Sequence, residues 1–333
     1  MQKIKQPKIV VIGGGTGTFT VLSGLKHYPV DLTAIVTMMD SGGSSGKLRD
    51  ELGVLPPGDV RQCLVALATS SQLMRDLFSY RFEEGDLKGH TFGNIFVSAL
   101  EKTTGSIEKA IDEIGKILRI QGQVVPVTFD KTELCVELVD GTTIVGETHI
   151  DEVENKIKRG RIKRAFLSDE VTANAKAIKA IRSADLIMIG PGDLYTSIVP
   201  NLLVPKIASA LQKSKAKKVY VLNLMTKYGQ TTNYTAQDHI EDIEHYLGKK
   251  TIDAILINGT KPKKSTRAWY EDFGEEPVKD NLKETNYALI RKDLIRDVVI
   301  QKEKTDTLKR SIIRHDSDKL AKVIIEELLK NNS

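Results

Sequence analysis

The stretch from Lys8 to Asp40, KIVVIGGGTGTFTVLSGLKHYPVDLTAIVTMMD, limits the fold more than any other part of the chain. A short β-branched run, Lys8 to Ile12, ends in glycines and reads as a buried strand. Phe19 to Tyr28 has the pattern of a helix, and Leu32 to Met39 is a second apolar run. Strand, glycine turn, helix and strand make a βαβ unit, which places two parallel strands in one sheet. The expectation is an α/β fold with a Rossmann-like parallel sheet flanked by helices.

The same rhythm continues. Val60–Thr69, Leu73–Phe82, Phe92–Lys102 and Ile107–Leu118 carry helical periodicity, with Ser106 placed as an N-cap. Character changes at Gln121. From there to Ser168 the runs are strand-like, and Asp140-Gly141 is a hairpin signal. Residues 121–168 therefore read as a β-rich insertion or sheet edge within one domain spanning 1–333. Alternation then resumes: helix Ala173–Ser183, strand Leu186–Ile189, an interrupted helix Tyr195–Lys213, strand Val219–Leu224, helix Ala236–Leu247 and strand Ile252–Ile257. Lys302–Arg310 is polar and reads as a loop. Asp316–Lys330 reads as an amphipathic helix capped by Asp316 or Ser317.

Bulk properties exclude several classes. Of 333 residues, 49 are Lys or Arg and 44 are Asp or Glu, a net charge of +5. That excess is too mild to point to nucleic acid. The basic runs Lys156–Arg164 and Thr260–Arg267 read as solvated segments. The two cysteines, Cys63 and Cys135, sit in apolar company without zinc or redox spacing. The first apolar run is too short for a signal peptide, and no run approaches the ~18 residues of a membrane span. The expectation is a cytoplasmic, soluble protein.

Five segments could carry chemistry. The first is Gly13, Gly14, Gly15, Thr16, Gly17 and Thr18. Glycines at a helix start let backbone N–H groups approach an anion, so this reads as a phosphate cradle, or else as a tight turn without ligand. A dinucleotide fingerprint would carry glycine at position 18, and its ribose acid earlier than Asp40. The second is SGGSSG after Asp40. Here Ser41, Gly42, Gly43 and Ser44 offer donors and Lys47 supplies charge, so the segment reads as a backbone cradle in preference to a tether. Asp59 beyond it reads as the N-cap of the next helix. The third is GHTFGN, with His90 and Asn94 at a helix start. The fourth is Gly190, Pro191, Gly192 and Asp193, at the end of a buried strand; Asp193 suits a metal, a hydroxyl or a helix N-terminus. The fifth follows another strand, where Thr226, Gln230, Thr231 and Asn233 suit sugar hydroxyls, or form a solvated loop with Thr235 as cap. Strand ends of an open parallel sheet share one edge, so these segments are expected to share one ligand.

The five segments in this order resemble the YvcK-like gluconeogenesis factors of bacteria, within the CofD-like superfamily. The resemblance runs from Lys8 to the last third of the chain. It implies a Rossmann-like fold with ligand across the strand ends. The enzymatic branch transfers a phospholactyl group from a guanosine diphosphate-linked donor to the deazaflavin Fo, with magnesium. The bacterial branch is linked to gluconeogenic growth, cell shape, wall synthesis and binding of UDP-sugars such as UDP-N-acetylglucosamine. By this resemblance Gly13–Thr18 face phosphate, Asp40 is the acid after the second strand, catalytic or metal-binding in the transferase, and Gly190-Pro191 is the matching turn. Gly192-Asp193 departs from the Ser-Asn of the transferases. The resemblance also implies a homodimer, and a protein partner in cell-wall synthesis.

The leading expectation is thus a nucleotide-sugar-binding regulator, with Ser41–Lys47 and Thr226–Asn233 as loops closing over the ligand. The alternative is a magnesium-dependent transferase of the CofD type. An NAD-binding protein and a ligand-free scaffold are the remaining readings.

Overall fold

A computed structural model describes residues 6–151, 159–283, 287–296 and 312–329. The Lys302–Arg310 stretch lies outside them, as do residues 156–158 of the first basic run. The chain opens with β1 (Lys8–Gly13), α1 (Gly15–Leu25) and β2 (Asp31–Val36). Five helices follow: α2 (Gly43–Leu52), α3 (Gly58–Leu67), α4 (Gln72–Ser79), α5 (Phe92–Thr104) and α6 (Ile107–Leu118). Next come β3 (Gln123–Pro126), β4 (Leu134–Leu138), β5 (Thr143–Val145), α7 (Glu147–Asp151) and β6 (Ile162–Leu167). The α/β rhythm returns with α8 (Ala175–Ser183), β7 (Leu186–Ile189), a π-turn at Leu194–Ile198 running into α9 (Val199–Leu203), α10 (Ile207–Lys213) and β8 (Lys217–Val221). The last elements are α11 (Ala236–Leu247), β9 (Ala254–Asn258), α12 (Lys264–Glu271), β10 (Ala288–Lys292) and α13 (Ser317–Val323), which continues as a π-turn to Leu329.

Seven strands form one parallel sheet in the order β10-β9-β8-β7-β1-β2-β3. Strand order reverses between β1 and β7, the switch point where open α/β sheets collect ligands. Alternate residues of each strand face opposite sides. Ile9, Val11, Ala34, Met188 and Val221 join the layer containing α1, α3, α6 and α13. Val10, Ile12, Ile35, Ile187 and Tyr220 join α8 to α11 on the other face. Strands covered on both faces are apolar throughout, which is why their sequences read as continuous runs.

The segment 121–168 divides. Its first strand, β3, pairs parallel with β2 at the edge of the main sheet. The others form a small antiparallel sheet, β5-β4-β6, whose Leu134, Val136 and Ile162 pack into the second core layer. The hairpin turn falls at Asp140-Gly141, where Asp140 Oδ1 accepts from the Thr142 amide and Gly141 takes φ +89°. Ser106 caps α6, and of the two terminal candidates Asp316 is the cap of α13, accepting from the Asp318 and Lys319 amides.

Two expectations are corrected. SGGSSG is not a loop: Gly42 is the N-cap and Gly43 to Leu52 are helical. A side chain at Gly46 would stand 2.0 Å from the Ser41 carbonyl oxygen, so glycine there lets the chain fold back into a helix start. Nor does Asp59 cap α3. The N-cap is Pro57, and Asp59 lies inside the first turn. Among the described residues no single helix is long and apolar enough to cross a membrane.

Candidate functional site

A cleft of about 250 Å³ runs along the carboxyl ends of the strands. Four strand ends feed it. After β1 come Gly14 to Gly17, after β2 Thr37 and Asp40, after β7 Pro191 to Asp193, and after β8 Asn223 to Lys227. The starts of α2 and α3, α7 of the small sheet, and Ile313 to His315 ahead of α13 add to the wall, with Arg81, Asn94 and Glu275.

The glycines here are packing devices. A Cβ on Gly17 would stand 1.9 Å from the Pro191 carbonyl oxygen, so the first and fourth segments touch backbone to backbone. One on Gly58 would meet Ser45 Oγ at 2.4 Å and Asp40 Oδ2 at 2.5 Å. One on Gly14 would meet Asp59 Oδ2 at 2.4 Å. The Asp59 carboxylate thus lies against the glycine turn at the positive end of α1.

Asp40 is fixed by accepting from the Gly42 amide at 2.9 Å. Asp40 Oδ1 and Glu147 Oε2 both lie within 3.6 Å of the point a Gly42 Cβ would occupy, so they flank one small gap. Glu147 is partly buried. Burial, then the negative charges of Asp40, Asp151, Asp59 and Asp193, push its carboxyl well above the usual range. Opposite stands Lys227, 3.0 Å from Asp151 and 3.6 Å from Asp193. Burial alone would lower its ammonium, but the two carboxylates more than offset that and hold it charged. Gln230 donates to Asp151 at 2.9 Å, and Asn223 donates to the Gly192 carbonyl at 2.8 Å. These bonds tie α7, the β7 turn and the β8 turn together.

Of the residues singled out from sequence, Gly14, Gly15, Thr16, Gly17, Asp40, Gly42, Ser44, Asn94, Pro191, Gly192, Asp193 and Thr226 line the cleft. Others stand behind it. Gly13 closes β1, its carbonyl accepting from Thr37 and Asn201. Thr18 is fully buried in α1. Ser41 is bound to α7, accepting from the Thr148 amide at 2.9 Å. Gly43 opens α2, Gly190 precedes the lining turn, and Gln230 holds Asp151. Lys47 is exposed on α2 and does not line the cleft. Thr231 is buried, accepting from the Lys227 amide, and Asn233 is an exposed left-handed turn residue. Neither lines the cleft. His90 lies just behind, its Nδ1 3.2 Å from Ser44 Oγ, and burial lowers its pKa. Asn94 accepts from Arg61 at 3.0 Å and donates to Ser45. GHTFGN therefore props the serines of SGGSSG.

Sequence reasoning missed Asp59, Glu147, Asp151, Lys227 and the Ile313–His315 wall. Lys227 sat inside the fifth segment, and Asp59 carried a signal read as a cap. Nothing local marked the others. Among the described residues no three His, Cys, Asp or Glu side chains converge to hold a metal ion.

The family model described as 2-phospho-L-lactate transferase CofD matches residues 9–295. The gluconeogenesis factor of Bacillus subtilis is 43% identical over 326 residues, covering 97% of this chain and 99% of that protein. The gluconeogenesis factor of Halalkalibacterium halodurans is 40% identical, covering 97% of each chain. A crystal structure of a UPF0052 family member from Bacillus halodurans superposes with a TM-score of 0.89 at 39% identity, covering 97% of this chain and all of that one. By motif order, fold and overall sequence, the chain belongs to the CofD family, alongside bacterial proteins named gluconeogenesis factors.

Proposed function

We propose that the chain binds a nucleotide sugar of the UDP-N-acetylglucosamine type. Its occupancy would act as a regulatory signal linked to gluconeogenic growth, cell shape and cell-wall synthesis, passed to a protein partner. The observation that carries this reading is the meeting of two glycine turns, Gly14–Gly17 and Pro191–Asp193, at the switch point of the sheet. Backbone amides there suit a diphosphate. Asp40 suits a ribose hydroxyl or a magnesium-bound water, and Thr226 suits a sugar hydroxyl.

A regulator needs a state that differs between bound and free forms. Because α2 is a helix, Ser41–Lys47 is a poor closing loop. The better candidate is α7, which reaches the cleft from the small sheet and is held by Ser41, Lys227 and Gln230.

One feature favours a second reading, a magnesium-dependent transferase of the CofD type. Asp40, Asp59 and Glu147 supply the hard oxygens magnesium takes. They form no cage, which agrees with an ion held by one or two carboxylates and completed by ligand phosphates. When bound, the ion would neutralise phosphate charge, and Asp40 would be its first protein ligand or the base. Against transfer stands Gly192-Asp193, where the transferases carry Ser-Asn.

A thermal-shift panel decides between them: UDP-N-acetylglucosamine, UDP-glucose, GTP, GDP and NADH, each with and without magnesium. A ligand at a hundred times its Kd stabilises by about 2.7 kcal/mol. A shift with UDP-sugars alone supports the regulator. A guanosine shift moves the case to the transferase, and no shift with any of them refutes both.

A further inference from the structure

The cleft wall contributed by the end of the chain belongs to none of the five segments. Ile313, Arg314 and His315 reach the cleft because their strand-like stretch bridges to Ile295, with the Arg296 amide donating to the Arg314 carbonyl at 3.0 Å. The next residue donates its amide to the Leu294 carbonyl at 2.7 Å and caps α13 through its side chain. That helix packs on α1, where the Ser317 carbonyl occupies the space a Gly24 side chain would need. His315 is thus anchored on both sides. Its residue is only 6% exposed, and its Nε2 is buried with no hydrogen-bond partner. Buried polar atoms are nearly always paired, so an orphan at a cleft wall calls for a reason.

We infer that His315 is a specificity-determining residue of the cleft, hydrogen-bonding an uncharged polar group of the bound nucleotide sugar. This rests on the nucleotide-sugar reading above. Two observations favour a neutral partner over a phosphate. Burial pushes the imidazole down to about 4, so the ring is neutral at physiological pH and offers one donor and one acceptor without charge. Beside it, Leu224, Met225 and Ile313 form one apolar cluster with its bridge partner Ile295, and these three line the cleft with Arg314; apolar side chains of this kind suit a base or a sugar face. The position along the sheet agrees. The glycine turns occupy the switch point, whereas His315 bridges to the chain that leaves β10, at the far edge. A ligand with its diphosphate at the centre would extend its neutral part this way. A nucleobase edge and a sugar hydroxyl or amide share this chemistry.

The test uses the whole chain and calorimetry on the wild type and two variants, His315→Gln and His315→Leu. The probes are UDP-N-acetylglucosamine, UDP and inorganic pyrophosphate. Losing one neutral hydrogen bond should weaken nucleotide binding about tenfold in His315→Leu. His315→Gln, which keeps a neutral donor and acceptor, should recover most of it, and pyrophosphate affinity should stay unchanged. Weakening of UDP and UDP-N-acetylglucosamine alike assigns the nucleoside, whereas weakening of the sugar nucleotide alone assigns the sugar. His315→Leu should also melt no lower than wild type, because it removes an unpaired buried atom. Wild-type affinities in His315→Leu for every probe overturn the inference while leaving the cleft reading intact. So does a lower melting point with unchanged affinity, the mark of an internal water held for structure. If wild type binds none of the nucleotides, the nucleotide-sugar reading itself falls, and the inference with it.

Discussion

Gly17 gives a test in which two principles predict opposite signs. It lies in the first turn of α1 with no unusual backbone angle, so helix propensity alone favours Gly17→Ala by about 1 kcal/mol. Packing says otherwise. The new Cβ would stand 1.9 Å from the Pro191 oxygen, 2.5 Å from its carbonyl carbon and 3.0 Å from the Gly192 nitrogen. All three are backbone atoms and cannot rotate away. Ordinary contact begins at 3.4 Å, so the two turns must part by about 1.5 Å. Overpacking of this kind costs roughly 1–3 kcal/mol, more where backbone must move. The net expectation is destabilisation of about 1–2 kcal/mol, a fall in Tm of roughly 1.5–3 °C for a chain of this size. The assay is differential scanning calorimetry beside Gly141→Ala, where no atom lies within 4 Å and φ is +89°, so only backbone strain is charged. Because the moving turns are those assigned to the diphosphate, the variant should also lose its UDP-sugar shift. A Gly17→Ala protein that melts higher than wild type would refute the contact between the two turns, and with it the shared site.

Glu147→Gln tests the buried carboxyl. Its folded pKa is raised, so its contribution is present below the unfolded carboxyl range and lost as pH rises through the folded value. The variant's stability relative to wild type should therefore climb as pH rises above the unfolded carboxyl range, by up to about 1.4 kcal/mol per pH unit until the folded value is passed; a flat difference sinks the reading. Lys227→Met leaves Asp151 and Asp193 without their shared cation. Urea unfolding should show a loss of about 2–3 kcal/mol, reduced from a fully buried pair because all three side chains reach some solvent. Adding Asp193→Asn should restore part of it, and no recovery would mean Asp193 is not a partner. Asp316→Ala removes the cap of α13, worth about 1 kcal/mol, and should loosen the His315 wall, seen as weaker UDP-N-acetylglucosamine binding. Full affinity in that variant would separate the helix from the site.

The sheet was legible because its signals are local. Strands covered on both faces are apolar without interruption, and α6 and α11 match their patterns end to end, the latter opening with the Thr235–Asp238 capping box. What failed to show was set by distant partners. Glycine and serine are poor helix formers, so GSSG at the start of α2 gave no helical signal. That turn is helical because Gly46 lets it close on Ser41, while His90 and Asn94 hold its serines. Asp59 was misread for a related reason: capping and ligand-facing acids look alike until a neighbour such as Gly14 is known. His315 reaches the cleft by pairing with Ile295 and docking α13 on α1. No window of a dozen residues contains that information.

In the sequence, the glycines of this site read as openings through which an anion reaches the backbone. Most of their space is taken by the protein itself: Pro191 against Gly17, Ser41 against Gly46, Asp40 and Ser45 against Gly58, Asp59 against Gly14. Each glycine lets two segments approach within a distance no side chain permits. Turns pressed together at one sheet edge also bring their backbones into one small volume. Asp40 and Asp59 enter the same volume, so an anionic ligand needs counter-charge beyond Lys227, such as magnesium. A site with this balance would bind a diphosphate weakly without a cation and tightly with one. Magnesium dependence would therefore accompany binding whether or not any bond is broken, so cation dependence alone does not separate the regulator from the transferase.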